Sequence, residues 1–157
     1  TPIANPRYMV PDWSFGIQDE RLQQLVDEAR GKGAQVVVVV SHNGMDVDIK
    51  MASRVTGIDA ILGGHTHDAI PAPVVVDNAA GKTLAINSGS NGKFLSVLDL
   101  DVKNGRVRDY RFKLLPVFSN LIEPDPTMAA YIEKVRAPYK DRLEEQLAVT
   151  DDLLYRR

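Results

Sequence analysis

The chain has 157 residues, and its nineteen basic against twenty-one acidic side chains leave a net charge of −2, too little to steer it toward nucleic acid or an anionic membrane. A hydrophobic content of 44% is enough for one sizeable core, and the absence of cysteine excludes disulfides and leaves only nitrogen and oxygen ligands for any metal. No apolar run approaches bilayer length, and Thr1-Pro2-Ile3 has neither the basic nor the apolar region of a signal peptide. The start therefore reads as a cut within a longer chain or as a processed terminus.

Residues 1–16 carry Pro2, Pro6 and Pro11 among aromatic residues and read as an irregular lead-in. From Asp19, the residues Leu22, Leu25, Val26 and Ala29 fall on one helical face, and Gly31 and Gly33 supply a stop. Gln35–Val40 is apolar without alternation, as expected of a strand covered on both faces in a parallel sheet. Asp48 is placed to cap a short helix that runs through Ser53 and ends at Gly57, and Ile58–Leu62 is the next buried strand. The segment between these strands is long enough for a helical crossover, which predicts a right-handed βαβ unit.

The pattern changes after Pro73. Val74–Val76, Leu84–Ile86, Phe94–Asp101 and Val107–Leu114 read as strands, with Ala79-Ala80-Gly81 and Asn104-Gly105 in the turns. From Asp125-Pro126, the positions Met128, Ile132, Val135, Tyr139, Leu143 and Leu147 describe one long amphipathic helix. Pro126 suits its first turn, and Pro138 should kink it. This helix is expected to pack on the domain or to lead to another.

All three histidines lie in two short loops, Ser41-His42-Asn43-Gly44 and Gly63-Gly64-His65-Thr66-His67-Asp68, each directly after an apolar run. Parallel strands put their C-terminal ends on one edge of the sheet, where open α/β sheets bind ligands. His42 should therefore meet His65 and His67, although more than twenty residues separate them. In an extended loop, residues i and i+2 point the same way. His65 and His67 would then face one ion, or serve two ions about 3.5–4 Å apart. Imidazole is the commonest nitrogen ligand for transition metals, so the grouping predicts metal binding without naming the ion.

Asp46, Asp48 and Asp68 are candidates to orient an imidazole through its second nitrogen. For Asp46 and Asp48, solvation and helix capping are the simpler readings, whereas Asp68 is open between the two. Asn87-Ser88-Gly89-Ser90-Asn91-Gly92-Lys93 offers backbone donors and a cation to an anion. With no helix following it, a bent connection between strands is the preferred reading. No nucleophile triad can be assembled, since there is no cysteine and the proposed site claims every histidine.

The two histidine loops resemble the last two metal motifs of the calcineurin-like metallophosphoesterases, in their 5'-nucleotidase branch. Further segments narrow the match: Thr1 through Trp13, Ser41 through Asp48, Ala60 through Asp68, and Asp152 through Arg157. These look like the SoxB thiosulfohydrolases of the bacterial sulfur-oxidising system. The resemblance implies an α/β fold (an α+β sandwich), of which this chain is the C-terminal half of a four-layer metallophosphoesterase domain. That half is a βαβ unit followed by antiparallel strands and a long linking helix. Residues 1–120 would be the rear of the catalytic domain, and residues 121–157 the helix toward a further domain.

The resemblance further implies two manganese ions, with zinc or another divalent metal as alternatives. His42 and His65 would serve one ion and His67 the other, with Asn43 and Asp68 as outer supports. The implied reaction removes a terminal sulfonate, as sulfate, from a cysteine-linked thiosulfonate on the SoxYZ carrier protein in the periplasm. The family's earlier motifs are Asp-x-His, a bridging aspartate, and Gly-Asn-His with its acid/base histidine, and none occurs here. No catalytic acid/base residue can therefore be assigned, and the isolated chain is expected to be inactive. Competing readings are a periplasmic 5'-nucleotidase or sugar-nucleotide phosphohydrolase, and a non-catalytic metal-binding module.

Overall fold

The structure, a computed structural model, describes residues 6–154. The ends of the two terminal segments compared above, residues 1–5 and 155–157, lie outside the described residues. The chain divides into two units, Thr1–Val117 and Phe118–Arg157.

The first unit opens with a 3₁₀ turn at Arg7–Met9, then α1 (Asp19–Gly31), β1 (Val38–Val40), α2 (Met45–Arg54) and β2 (Ala60–Gly63). A hairpin of β3 (Val74–Asn78) and β4 (Gly81–Asn87) follows, then a second hairpin of β5 (Phe94–Lys103) and β6 (Arg106–Pro116). The larger sheet has the order β1-β2-β4-β3, with β1, β2 and β4 parallel and β3 antiparallel to β4. The predicted crossover is present as β1-α2-β2, with Val38 opposite Ala60 and Val40 opposite Leu62. The β5–β6 hairpin turns at Asn104-Gly105, where both φ angles are positive (53° and 71°), as a type I′ turn requires.

Val26 of α1 and Met51, Ala52 and Val55 of α2 pack with Ile58, Ile61 and Val76 to form the core. Arg30 ties this layer to the sheet. Its guanidinium donates to the carbonyls of Ala34, Gln35 and Gly57 and pairs with Asp59. Asp59 also accepts the Val37 N–H at 2.7 Å. These side-chain bonds occupy the backbone of residues 34–37, so the regular strand begins at Val38 rather than at Gln35. Nor is β1 covered on both faces as its composition suggests. It is an edge strand, with Val38 44% and Val40 85% exposed. The all-apolar run reflects its parallel pairing more than its burial.

Asp48 does not cap α2. The helix starts three residues earlier, Gly44 is its N-cap at φ 102°, and Asp48 lies inside it, 1% exposed. In the second unit, α3 (Pro126–Arg136) begins as predicted, with Asp125 capping the Met128 N–H at 2.8 Å and Pro126 in the first turn. The single long helix does not form. Ala137–Tyr139 is a 3₁₀ turn, α4 (Lys140–Leu143) is one turn long, and Leu147 lies beyond it. Pro138 has no N–H for the Lys134 carbonyl and crowds it, which breaks the α ladder there. Residues 118–154 are all exposed, so the apolar stripe of this unit is not buried.

Candidate metal centre

The C-terminal ends of β1, β2 and β4 share one edge, and the three loops that leave them build the site. Ser41 extends β1 through its N–H to the Leu62 carbonyl at 3.0 Å. His42 follows it, and His65 follows β2. Their imidazole centroids are 5.2 Å apart, edge to face at 73°. Gly64 makes this approach possible, since a Cβ there would sit 3.2 Å from His42 Nδ1. Gly63 is equally confined, because a Cβ there would meet Asp48 Oδ2 at 2.5 Å and the Ile86 carbonyl at 3.1 Å.

The loop after β2 is not extended. His65 and His67 both have left-handed backbones, at φ 75° and 61°, and the intervening Thr66 N–H bonds the Gly64 carbonyl at 3.0 Å. Thr66 Oγ1 accepts from the Met45 N–H at 3.3 Å and from Asn87 Nδ2 at 3.2 Å. Non-glycine residues in this region each carry strain on the order of 1 kcal/mol or more, held by surrounding contacts.

Beneath the loops lies a polar layer. Ser41 Oγ donates to Asp48 Oδ1 and accepts from the N–H and side-chain amide of Asn43 at 3.3 and 3.0 Å. Burial pushes the Asp48 carboxyl above its ordinary value of 3.8; the Ser41 hydroxyl opposes that shift, and the charge of Asp46 adds to it. Asp48 Oδ2 and Asn87 Oδ1 are buried and find no hydrogen-bond partner among the described residues.

Of the predicted site residues, His42 and His65 come together. Asn43 is bonded to Ser41 rather than to a histidine, and no side-chain hydrogen bond of Asp68 is found among the described residues. The Asp68 carbonyl instead accepts the Gly89 N–H at 2.7 Å, which ties the β4–β5 loop to the histidine loop. That loop is the bent connection preferred from its composition. By sequence, Ser41 and Thr66 have no role of their own, Asp48 is weighed as an imidazole support but preferred as a helix cap, and Asn87 is placed only in the β4–β5 connection. Asp48 had a readable signal, a carboxylate on the same helical face as Met45, Met51 and Ala52.

The donor set suits a divalent ion in part. Two imidazoles bound side by side to one ion, each nitrogen about 2.1 Å from it, hold their centroids about 5 Å apart. The His42–His65 separation matches that spacing. No group of three or more histidine, aspartate or glutamate side chains able to hold an ion forms among the described residues, so the pair is a partial ligand set.

No family model matches the chain. The structure superposes on the sulfate thiohydrolase SoxB of Thermus thermophilus with a TM-score of 0.86 and 38% identity, covering 99% of this chain and 28% of that one. The chain belongs to the 5'-nucleotidase/metallophosphoesterase family. Within that family, a 5'-nucleotidase precursor, also from Thermus thermophilus, matches at a TM-score of 0.76 and 26% identity, over 83% of this chain and 29% of that one. A 2',3'-cyclic-nucleotide 2'-phosphodiesterase/3'-nucleotidase from Salmonella typhimurium is 34% identical over 102 residues, covering 54% of this chain and 16% of its own length. The chain thus spans less than a third of each of these relatives. No helix among the described residues is long and apolar enough to cross a membrane.

Proposed function

We propose that the protein carrying this chain is a periplasmic metal-dependent hydrolase that releases sulfate from a cysteine S-thiosulfonate on the SoxYZ carrier. The observation that carries the reading is the meeting of His42 and His65 at the sheet edge, in a chain 38% identical to a sulfate thiohydrolase across 99% of its length. In this reading His42 and His65 bind one divalent ion through neutral imidazole nitrogens, and His67 serves a second. Manganese is the proposed metal. A bound divalent cation supplies Lewis acidity, lowering the pKa of water and balancing charge on the sulfonate oxygens.

The chain's own contribution is to hold the two imidazoles. Gly64 leaves room for the His42 ring and Gly63 for the Asp48 carboxylate, while the buried Asp48 and Asn87 side chains anchor Ser41 and Thr66 of their loops. In the reaction, water oxygen bonds to the terminal sulfonate sulfur and the sulfur–sulfur bond breaks. Sulfate departs, and the remaining sulfur keeps the electron pair and takes a proton on the carrier. Nothing is oxidised or reduced overall.

The nucleotidase relatives support a second reading, hydrolysis of a nucleotide phosphoester at the same ligands. The test is sulfate release from thiosulfonate-loaded carrier, beside phosphate release from AMP, by the full-length protein with and without manganese. Manganese-dependent sulfate release, lowered at least about tenfold in His42→Ala, is expected. Phosphate release without sulfate release would select the nucleotidase reading. The 157-residue chain alone is expected to bind metal weakly and to turn over neither substrate.

A further inference from the structure

Thr66 stands between two histidines and is not itself a proposed metal ligand. Three observations concern it. Both neighbours, His65 and His67, are held in left-handed backbone. Its hydroxyl accepts two hydrogen bonds from separate parts of the fold: the Met45 N–H, at the start of α2, and the amide of Asn87, at the end of β4. Its methyl lies against Gly44, where a Cβ would meet it at 3.1 Å. Asn87 is fully buried, so its amide is a fixed anchor rather than a mobile surface group. Met45 and Gly44 close the loop that carries His42. The Thr66 side chain is therefore bonded both to the loop of His42 and to the sheet beneath His65.

We infer that Thr66 is a positioning residue whose hydroxyl sets the distance between His42 and His65. Without that acceptor, the Met45 N–H and the buried Asn87 amide lose a partner. The left-handed turn then loses the contacts that hold it, and the imidazoles drift from their common face. The inference rests on the reading of His42 and His65 as ligands for one ion.

Valine replaces the hydroxyl by a methyl of similar shape, whereas serine keeps the hydroxyl and loses only the methyl. The experiment compares Thr66→Val and Thr66→Ser with the unaltered full-length protein by three readouts: the nuclear Overhauser contact between the His42 and His65 rings without metal, manganese affinity by titration, and thermal melting. Thr66→Val should lose the ring contact and bind manganese about 10–100-fold more weakly, as loss of an outer-shell partner does. Thr66→Ser should keep both close to the unaltered values. If Thr66→Val does not fold, Thr66→Ala removes the same hydroxyl without adding bulk.

An unchanged ring contact and affinity in the valine variant, whatever its melting temperature, would overturn the inference. So would a serine variant as impaired as the valine one. Should the unaltered protein bind no manganese, the metal reading fails, and the ring contact still decides the role of Thr66.

Discussion

Asp48 shows how burial changes a carboxylate's contribution to stability. Its folded-state proton affinity is raised by desolvation, so the native state holds the proton at pH values where the unfolded chain has released it. The stability this provides is complete below the ordinary value of 3.8 and is lost as pH rises through the raised folded value. An asparagine at this position would carry no charge to desolvate. Asp48→Asn should therefore melt at a higher temperature than the unaltered chain at neutral pH, with the difference shrinking toward pH 4. Calorimetric scans between pH 4 and 8 check this, and a variant less stable at pH 7 than at pH 4 relative to the parent would refute it. Asp19 behaves oppositely. Its hydrogen bond from Arg54 lowers its proton affinity, so its small, exposed contribution fades as pH falls.

At the scale of the elements, Arg30 decides where β1 begins. It satisfies three carbonyls around the α1–β1 and α2–β2 turns while neutralising Asp59, and both partners are mostly buried. Arg30→Met removes those donors and leaves the Asp59 charge without its counter-ion, which should cost about 2–4 kcal/mol. Urea denaturation measures it, and a loss near zero would mean that water replaces the guanidinium. The periodicity of α1, the crossover, both hairpins and the Asn104-Gly105 turn was legible because each depends on neighbours in sequence. The start of α2 was not. Asp48 has the composition of a cap, but the helix extends back to Gly44 because Thr66 and the residue's own burial hold it there. Pro138 was legible as a defect, though only as a kink rather than as the end of regular helix.

At the scale of the whole molecule, large apolar side chains remain exposed. Val38 and Val40 are exposed on an edge strand, and Leu121, Leu147 and Leu153 are more than 70% exposed. An unpaired edge of this kind is a template for strand pairing between chains. The isolated 157-residue chain should sediment as dimers or larger species at micromolar concentration, and Val40→Lys should shift it toward monomer. A monodisperse unaltered chain with a sharp cooperative melt would contradict that expectation.

The primary sequence alone was sufficient for the α/β class, the βαβ unit and the placing of the His42 loop beside the loop of His65 and His67 at one sheet edge. Apolar runs followed by histidine loops carry that information locally, and parallel strands must end on the same edge. The tertiary structure alone decided the rest: the left-handed turns at His65 and His67, the exposure of β1, and the polar layer of Ser41, Asp48, Thr66 and Asn87. Those features arise from contacts between β1, α2, β2 and β4. No single stretch of sequence shows which hydroxyl or amide meets a partner from another element.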